Sequence, residues 1–188
     1  QAWLEECYRQ IDARCRVQWH VAEGARIGNG DVVCTISGPA QALLTAERSG
    51  LNFLQTLSGV ATETRRYVDA IAGTRAVIHD TRKTVPGLRL AQKYAVRCGG
   101  GRNHRIGLYD TVMLKENHVR AAGSLTAAIR AARSAQPSLP LIVEVETLDQ
   151  LDEALSEGCE RILIDDFDAD TRREAVRRAK AAPYDGRI

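Results

Sequence analysis

The sequence predicts an α/β protein made of two regions. Two observations carry this: from Gly73 onward short apolar runs alternate with amphipathic segments, and before it a helical stretch, two strand-like runs and a longer helical stretch follow in turn. A third, charge placed behind each apolar run of the second region, says where the chemistry would sit.

In residues 1–12, Trp3, Leu4, Cys7, Tyr8 and Ile11 recur every three to four positions, which predicts an amphipathic helix. CRVQWHV then alternates apolar Val17, Trp19 and Val21 with other residues, and VVCTIS is rich in β-branched side chains. Gly24, Gly28 and Gly30 between them read as turns, so two short strands are expected. Residues 39–73 turn helical again, with a break expected near Ser58-Gly59. Together these make a small α+β domain.

In the second region the apolar runs are AVIH, TVMLK, LIVEVE and RILID. Between and after them lie PGLRLAQKYAVRC, SLTAAIRAARSA, TLDQLDEALSEG and ADTRREAVRRAKAA, all with helical spacing. Short apolar strands joined by helices suit a parallel sheet buried on both faces, as a doubly wound sheet or a (β/α) barrel.

Composition bounds the function. The 188 residues are 44% hydrophobic and 27% charged, as in an ordinary globular protein of one or two domains. A formal charge of +2 from 26 basic and 24 acidic residues excludes a strongly basic polyanion binder. The positive charge is local: residues 80–118 hold ten Lys, Arg and His against three carboxylates, Asp80, Asp110 and Glu116. Only Tyr94 and Tyr109 interleave with these cations, too few for a base-stacking surface, so no nucleic-acid partner is expected. Five scattered cysteines, odd in number and without a CxxC pair, argue for free thiols over a disulfide framework or a zinc site. No apolar run approaches the roughly 18–20 residues that cross a bilayer, and no signal pattern opens the chain. A cytoplasmic protein with no membrane partner is the expectation. The chain starts at Gln1 and stops at GRI, which reads as a piece of something longer.

Charge follows each apolar run: Asp80, Arg82 and Lys83 after AVIH, Lys115 after TVML, Glu144 and Glu146 after LIV, Asp165 and Asp166 after RILI. One such residue is explained by solvation alone; four successive strands are not. In a (β/α) barrel these ends converge on one face, so cations from the first two strands would meet carboxylates from the next two. That set suits an anionic substrate beside a metal or a developing positive charge. Gly99-Gly100-Gly101 would end a helix and bring Arg102, Asn103, His104 and Arg105 close to a ligand. It is neither a Walker sequence nor a GxGxxG fingerprint.

The stretches AERSGLNFLQTLSGVAT, DTRKTVPGLR, KYAVRCGGGRNHR and MLKENH, then VEVE and LIDD, run in one order from about Leu43 to Asp166. In these the chain resembles the quinolinate phosphoribosyltransferase family, also called nicotinate-nucleotide pyrophosphorylase (carboxylating). The resemblance implies a partial N-terminal α/β sandwich over residues 1–56, then a partial, open or incomplete (β/α) barrel over 57–188. It implies transfer from 5-phosphoribosyl 1-pyrophosphate to quinolinate with decarboxylation, giving nicotinate mononucleotide, pyrophosphate and carbon dioxide in NAD biosynthesis. It also implies a homodimer with shared active sites, or a higher oligomer.

By position in the matching motifs, Arg82, His104, Arg105 and Lys115 would cradle the dicarboxylate, and Arg48 would reach in from the partner subunit. A planar guanidinium can bond both oxygens of a carboxylate, which suits such a cradle. Lys83 would contact the pyrophosphate, with Thr81 beside the same phosphates. Glu144 and Asp165 would face the ribose and Mg2+, directly or through water. Lys83, Glu144 and Asp165 form the implied catalytic set. His104 and Lys115 both stand as candidates for the proton donor after decarboxylation.

Two departures stand out. The usual LDN reads IDDF here, placing Asp166 where the family has an amide. Family chains also begin earlier and continue past GRI into glycine-rich loops that hold the ribose phosphate, so truncation at both ends is expected. The alternatives are therefore an inactive fragment, or a paralogue acting on another pyridine or base, of the type found with molybdenum transport genes. Asn52, Phe53 and Leu57 read as helix core and interface. His118 reads as support for the turn that follows it, and His20 and His79 have no constellation around them. Glu146 reads equally as an orienting group for Lys115 or as a strand-end charge.

Overall fold

The computed structural model describes residues 1–181. The protein is α/β and divides into two compact units, Gln1–Ile106 and Gly107–Ile188. No helix among the described residues is long and apolar enough to cross a membrane.

The first unit opens with helix α1 (Ala2–Ile11), which buries Leu4 and Tyr8 one turn apart. An antiparallel pair follows, β1 (Arg16–Trp19) with β2 (Cys34–Ser37), in the register Arg16↔Ser37 to Trp19↔Cys34. Alternation turns Val17, Trp19 and Ile36 toward the cluster of Leu4, Tyr8, Cys15, Ala42 and Ala46. Helix α2 (Ala40–Ala70) supplies small residues to that contact, with Ala42, Ala46 and Gly50 buried at every fourth position. A Cβ on Gly50 would lie 3.2 Å from the Tyr8 ring and 3.5 Å from Leu4 Cγ, so α1 approaches as closely as the glycine allows.

Helix α2 runs through Ser58-Gly59 without the expected break. An isolated glycine costs a helix about 1 kcal/mol, and packing at both ends of this one outweighs that. Its early turns carry α1, and its later turns receive α3 (Arg89–Cys98), which buries Ala91, Lys93 and Ala95. Asn52 is exposed and Phe53 and Leu57 are half-buried, so only the latter two take part in packing. AVIH forms no strand either. It makes one parallel bridge, His79↔Arg102, flanked by Arg102 N–H to Ile78 O (2.8 Å) and Asp80 N–H to Arg102 O (3.1 Å).

The Gly99-Gly100-Gly101 segment ends α3 as the sequence suggests, Gly100 holding φ +89°, but its smallness serves packing. A Cβ on Gly99 would lie 2.4 Å from Ala61 O and 2.7 Å from Thr64 Cβ, both on α2. Gly99→Ala is thus expected to cost about 1–3 kcal/mol by overpacking. Gly59→Ala, with open space around it, is expected to add up to about 1 kcal/mol. Urea midpoints of the two variants should move in opposite directions.

The second unit is a three-stranded parallel sheet in the order β3-β4-β5, closing into no barrel among the described residues. Its strands are β3 (Val112–Leu114), β4 (Leu141–Val145) and β5 (Ile162–Ile164), in the registers Leu114↔Val143 and Val145↔Ile164. The helices are α4 (Glu116–Ala122), α5 (Leu125–Ala135), α6 (Leu148–Ser156) and α7 (Ala169–Ala181). Ser124 caps α5 and Thr147 caps α6 through their hydroxyls, which explains both start points. Val143, Val145, Ile129, Leu151, Ala154 and Ala175 form the buried centre, and β4 is covered on both faces from Ile142 to Val145.

Candidate active site

In the first unit the bridge at His79 and Arg102 sets two cation-bearing segments side by side, Thr81-Arg82-Lys83 and His104-Arg105. The Thr81 hydroxyl accepts the Lys83 N–H at 3.0 Å, and Arg82 O accepts the Thr84 N–H at 3.0 Å. These two short bonds curl the segment tightly. Thr81 and Lys83 are exposed, whereas Arg82 is half-buried with an Nε that meets no acceptor among the described residues.

Beneath both segments lies Asp80. Its Oδ1 accepts the His104 backbone N–H at 2.8 Å and the Lys93 ammonium. With its amide oriented so that the nitrogen faces these two acceptors, Asn103 donates to Asp80 Oδ2 and Lys93 O, each at 2.9 Å. Lys93 also donates to His104 O at 3.0 Å. The Lys93 and Asp80 side chains are only 2% and 6% exposed. Four residues before Lys93 on α3, Arg89 donates to Ile106 O at 3.2 Å and, at a long 3.5 Å, to Arg82 O. Lys93 and Arg89 were not singled out in the sequence reading. Lys93 lies two residues from each of Ala91 and Ala95, and all three are buried on α3.

Burial pushes the His104 imidazole below its ordinary value near 6.5, helped by His79, Arg105 and Lys93 and opposed by Asp80. The His79 ring stands edge-on, 6.2 Å away between centroids. His104 therefore joins this group as a neutral ring at pH 7. The unfolded chain takes up the proton more readily, so the contribution of neutral His104 is present above the unfolded value near 6.5 and lost as pH falls from there through the folded value. His104→Gln is expected to flatten that part of a plot of urea midpoint against pH.

In the second unit, register places Lys115 and Glu144 one step beyond the Leu114↔Val143 pair. Lys115 Nζ donates to both Glu144 oxygens, at 2.8 and 2.7 Å. The Glu144 side chain is 5% exposed and that of Lys115 42%, so a largely buried carboxylate is neutralised by a cation that still reaches solvent. Expected in separate roles, these two residues form one unit. Glu146, weighed above as a partner for Lys115, is exposed, and its N–H goes to Gln150. His118 Nδ1 accepts the Lys115 N–H at 3.0 Å, closing a capping box at the start of α4, so it supports the residue before the helix.

Asp165 follows β5, exposed, with its N–H on Val145 O (3.0 Å) and its Oδ1 accepting the Asp166 N–H (3.1 Å). Asp166 holds φ 57°, a left-handed conformation that Asn and Asp tolerate best after glycine. The aspartate thus suits the turn that IDDF makes. Among the described residues no group of three or more His, Cys, Asp or Glu is placed to hold a metal. Glu144 lies in β4 and Asp165 directly follows the neighbouring strand β5. The chain's five cysteines are unbridged. Arg48 is exposed on α2.

Residues 2–58 match the family model described as quinolinate phosphoribosyl transferase, N-terminal domain, and residues 60–186 match its C-terminal domain. A nicotinate-nucleotide pyrophosphorylase (carboxylating) of Mycobacterium leprae (strain TN) is 53% identical over 163 residues, covering 87% of this chain and 57% of that protein. A probable nicotinate-nucleotide pyrophosphorylase (carboxylating) of Bacillus subtilis (strain 168) is 44% identical over 173 residues, covering 92% and 60%. The solved structure of NadC from Streptococcus pyogenes is similar with a TM-score of 0.90 at 41% identity, over 95% of this chain and 64% of that one. The nicotinate-nucleotide pyrophosphorylase of Francisella tularensis gives a TM-score of 0.93 at 39% identity, over 97% and 65%. The chain thus spans 57% and 60% of the length of the two curated relatives.

Proposed function

Because this chain belongs to the quinolinate phosphoribosyl transferase family, we propose that the full-length protein joins quinolinate to 5-phosphoribosyl 1-pyrophosphate and decarboxylates the product, in NAD biosynthesis. The observation that carries the reading is the pair of segments 81–83 and 104–105, held side by side and bearing Arg82, Lys83 and Arg105, with the Arg82 Nε lacking an acceptor among the described residues. A dicarboxylate supplies acceptors to such donors, and a planar guanidinium can take two at once.

In this reading Arg82, His104 and Arg105 take the two carboxylates of quinolinate, His104 as a neutral hydrogen-bonding ring. The pyridine nitrogen attacks the anomeric carbon, the bond from that carbon to the diphosphate oxygen breaks, and Lys83 meets the charge growing on the departing group. Thr81 shapes the turn that presents Lys83. Glu144, balanced by Lys115, and Asp165 favour positive charge on the ribose. Asp165, the more accessible carboxylate, and Glu144 would hold magnesium, directly or through water, and the ion would supply neutralising charge for the diphosphate. Once the nitrogen is alkylated, the carboxylate next to it leaves as carbon dioxide, its electron pair stays on the ring carbon, and a proton replaces it.

The assembly proposed is a homodimer in which Arg48 enters the partner's site, and its exposure on α2 supports that role. The cytoplasm is the proposed compartment, and unbridged cysteines accord with it. Calorimetric titration separates this function from action on another pyridine. Quinolinate and phthalate should bind and nicotinate should not, since this reading gives Arg82, His104 and Arg105 two adjacent carboxylates to hold. Preference for nicotinate would overturn the assignment and favour the paralogue.

A further inference from the structure

The deepest charged group in the first unit is almost fully buried, and the reaction as derived does not use it. Lys93 and Asp80 form a buried ion pair. The bonds around it reach His104 directly and the residues that immediately precede the two cation-bearing segments, Asp80 and Asn103. Asp80 directly precedes Thr81 and accepts the His104 N–H; Lys93 donates to His104 O as well as to Asp80; Asn103, directly before His104, donates to Asp80. Arg89 repeats the pattern one turn away, donating to Ile106 O and Arg82 O. Replacing a buried ion pair by apolar residues of similar volume is often neutral for stability. A core that needed only cohesion would be served by such residues, whereas a carboxylate that accepts from Lys93, Asn103 and the His104 N–H and directly precedes Thr81 sets the relative height and orientation of the two segments.

We propose that Lys93 and Asp80 are positioning residues, whose buried pair holds segments 81–83 and 104–105 in one register and so sets the spacing of Arg82, His104 and Arg105 toward a dicarboxylate. This rests on the reading of those three residues as the quinolinate ligands. Neither Lys93 nor Asp80 touches substrate; both act through the backbone at Thr81 and His104.

The test compares two double variants of the full-length protein. Asp80→Leu with Lys93→Met removes charge and tether together, and Asp80→Asn with Lys93→Gln keeps a hydrogen-bonded bridge without charge. Thermal unfolding establishes that each is folded, and calorimetry with quinolinate measures affinity. The apolar pair should bind quinolinate about tenfold or more weakly while folded, and the amide pair should recover binding to near the wild-type value. Unchanged affinity in the folded apolar pair would overturn the proposal, because a purely structural role predicts that result. A wild-type protein that binds no quinolinate would instead defeat the functional reading itself, and this proposal with it. A further measurement needs no variant: the His104 backbone amide, bonded to buried Asp80, should exchange slowly with solvent, and rapid exchange in the folded wild type would overturn the clamp.

Discussion

Lys83→Ala is expected to lower turnover by about 10²–10³-fold with the fold intact. Lys83 is exposed, its backbone is held by the Thr81 hydroxyl, and its side chain makes no ion pair among the described residues. Truncation therefore strands no buried partner, and stability should stay within about 0.5 kcal/mol of wild type. The proposed role is contact with diphosphate oxygens whose charge grows as the bond to ribose breaks. An interaction that strengthens toward the transition state is lost from kcat, whereas a contact equally strong in the ground state is lost from KM alone. Steady-state kinetics with phosphoribosyl pyrophosphate varied, beside a thermal melt, separates the two. A change in KM only would move Lys83 from catalysis to simple binding.

The second large effect is expected at Arg105. Arg105→Ala should weaken quinolinate binding by about 10–150-fold, the loss of one charge-assisted contact worth about 1.5–3 kcal/mol. Affinity for the phosphoribosyl donor should change little. Arg105→Lys should restore only part of the loss, since an ammonium cannot span both oxygens of a carboxylate. Titration of each substrate into each variant is the check. Equal losses for both substrates would contradict the division of labour between Arg105 and Lys83.

Much of this was legible in the chain. The apolar runs TVMLK, LIVEVE and RILID marked β3, β4 and β5, most clearly β4, which is buried from Ile142 to Val145 and so carries few polar side chains. The charges at two run ends stand at strand ends as expected, Lys115 directly after β3 and Asp165 directly after β5. What escaped has physical causes. AVIH has the composition of a strand but pairs through a single bridge, since pairing depends on a neighbour that local pattern cannot reveal. Ser58-Gly59 carries a breaker signal worth about 1 kcal/mol, and α2 overrides it with contacts to α1 and α3 distant in sequence. No local pattern marks Lys93 as buried, because its partner Asp80 lies thirteen residues back. The pairing of Lys115 with Glu144 followed from sheet register, which appears only when β3 lies beside β4.

Release of label from carboxyl-labelled quinolinate by the full-length protein is the most direct test of what these groups do together. Labelled carbon dioxide should appear one for one with pyrophosphate, only when phosphoribosyl pyrophosphate and magnesium are both present. No release under those conditions, or release without the phosphoribosyl donor, would contradict the assignment.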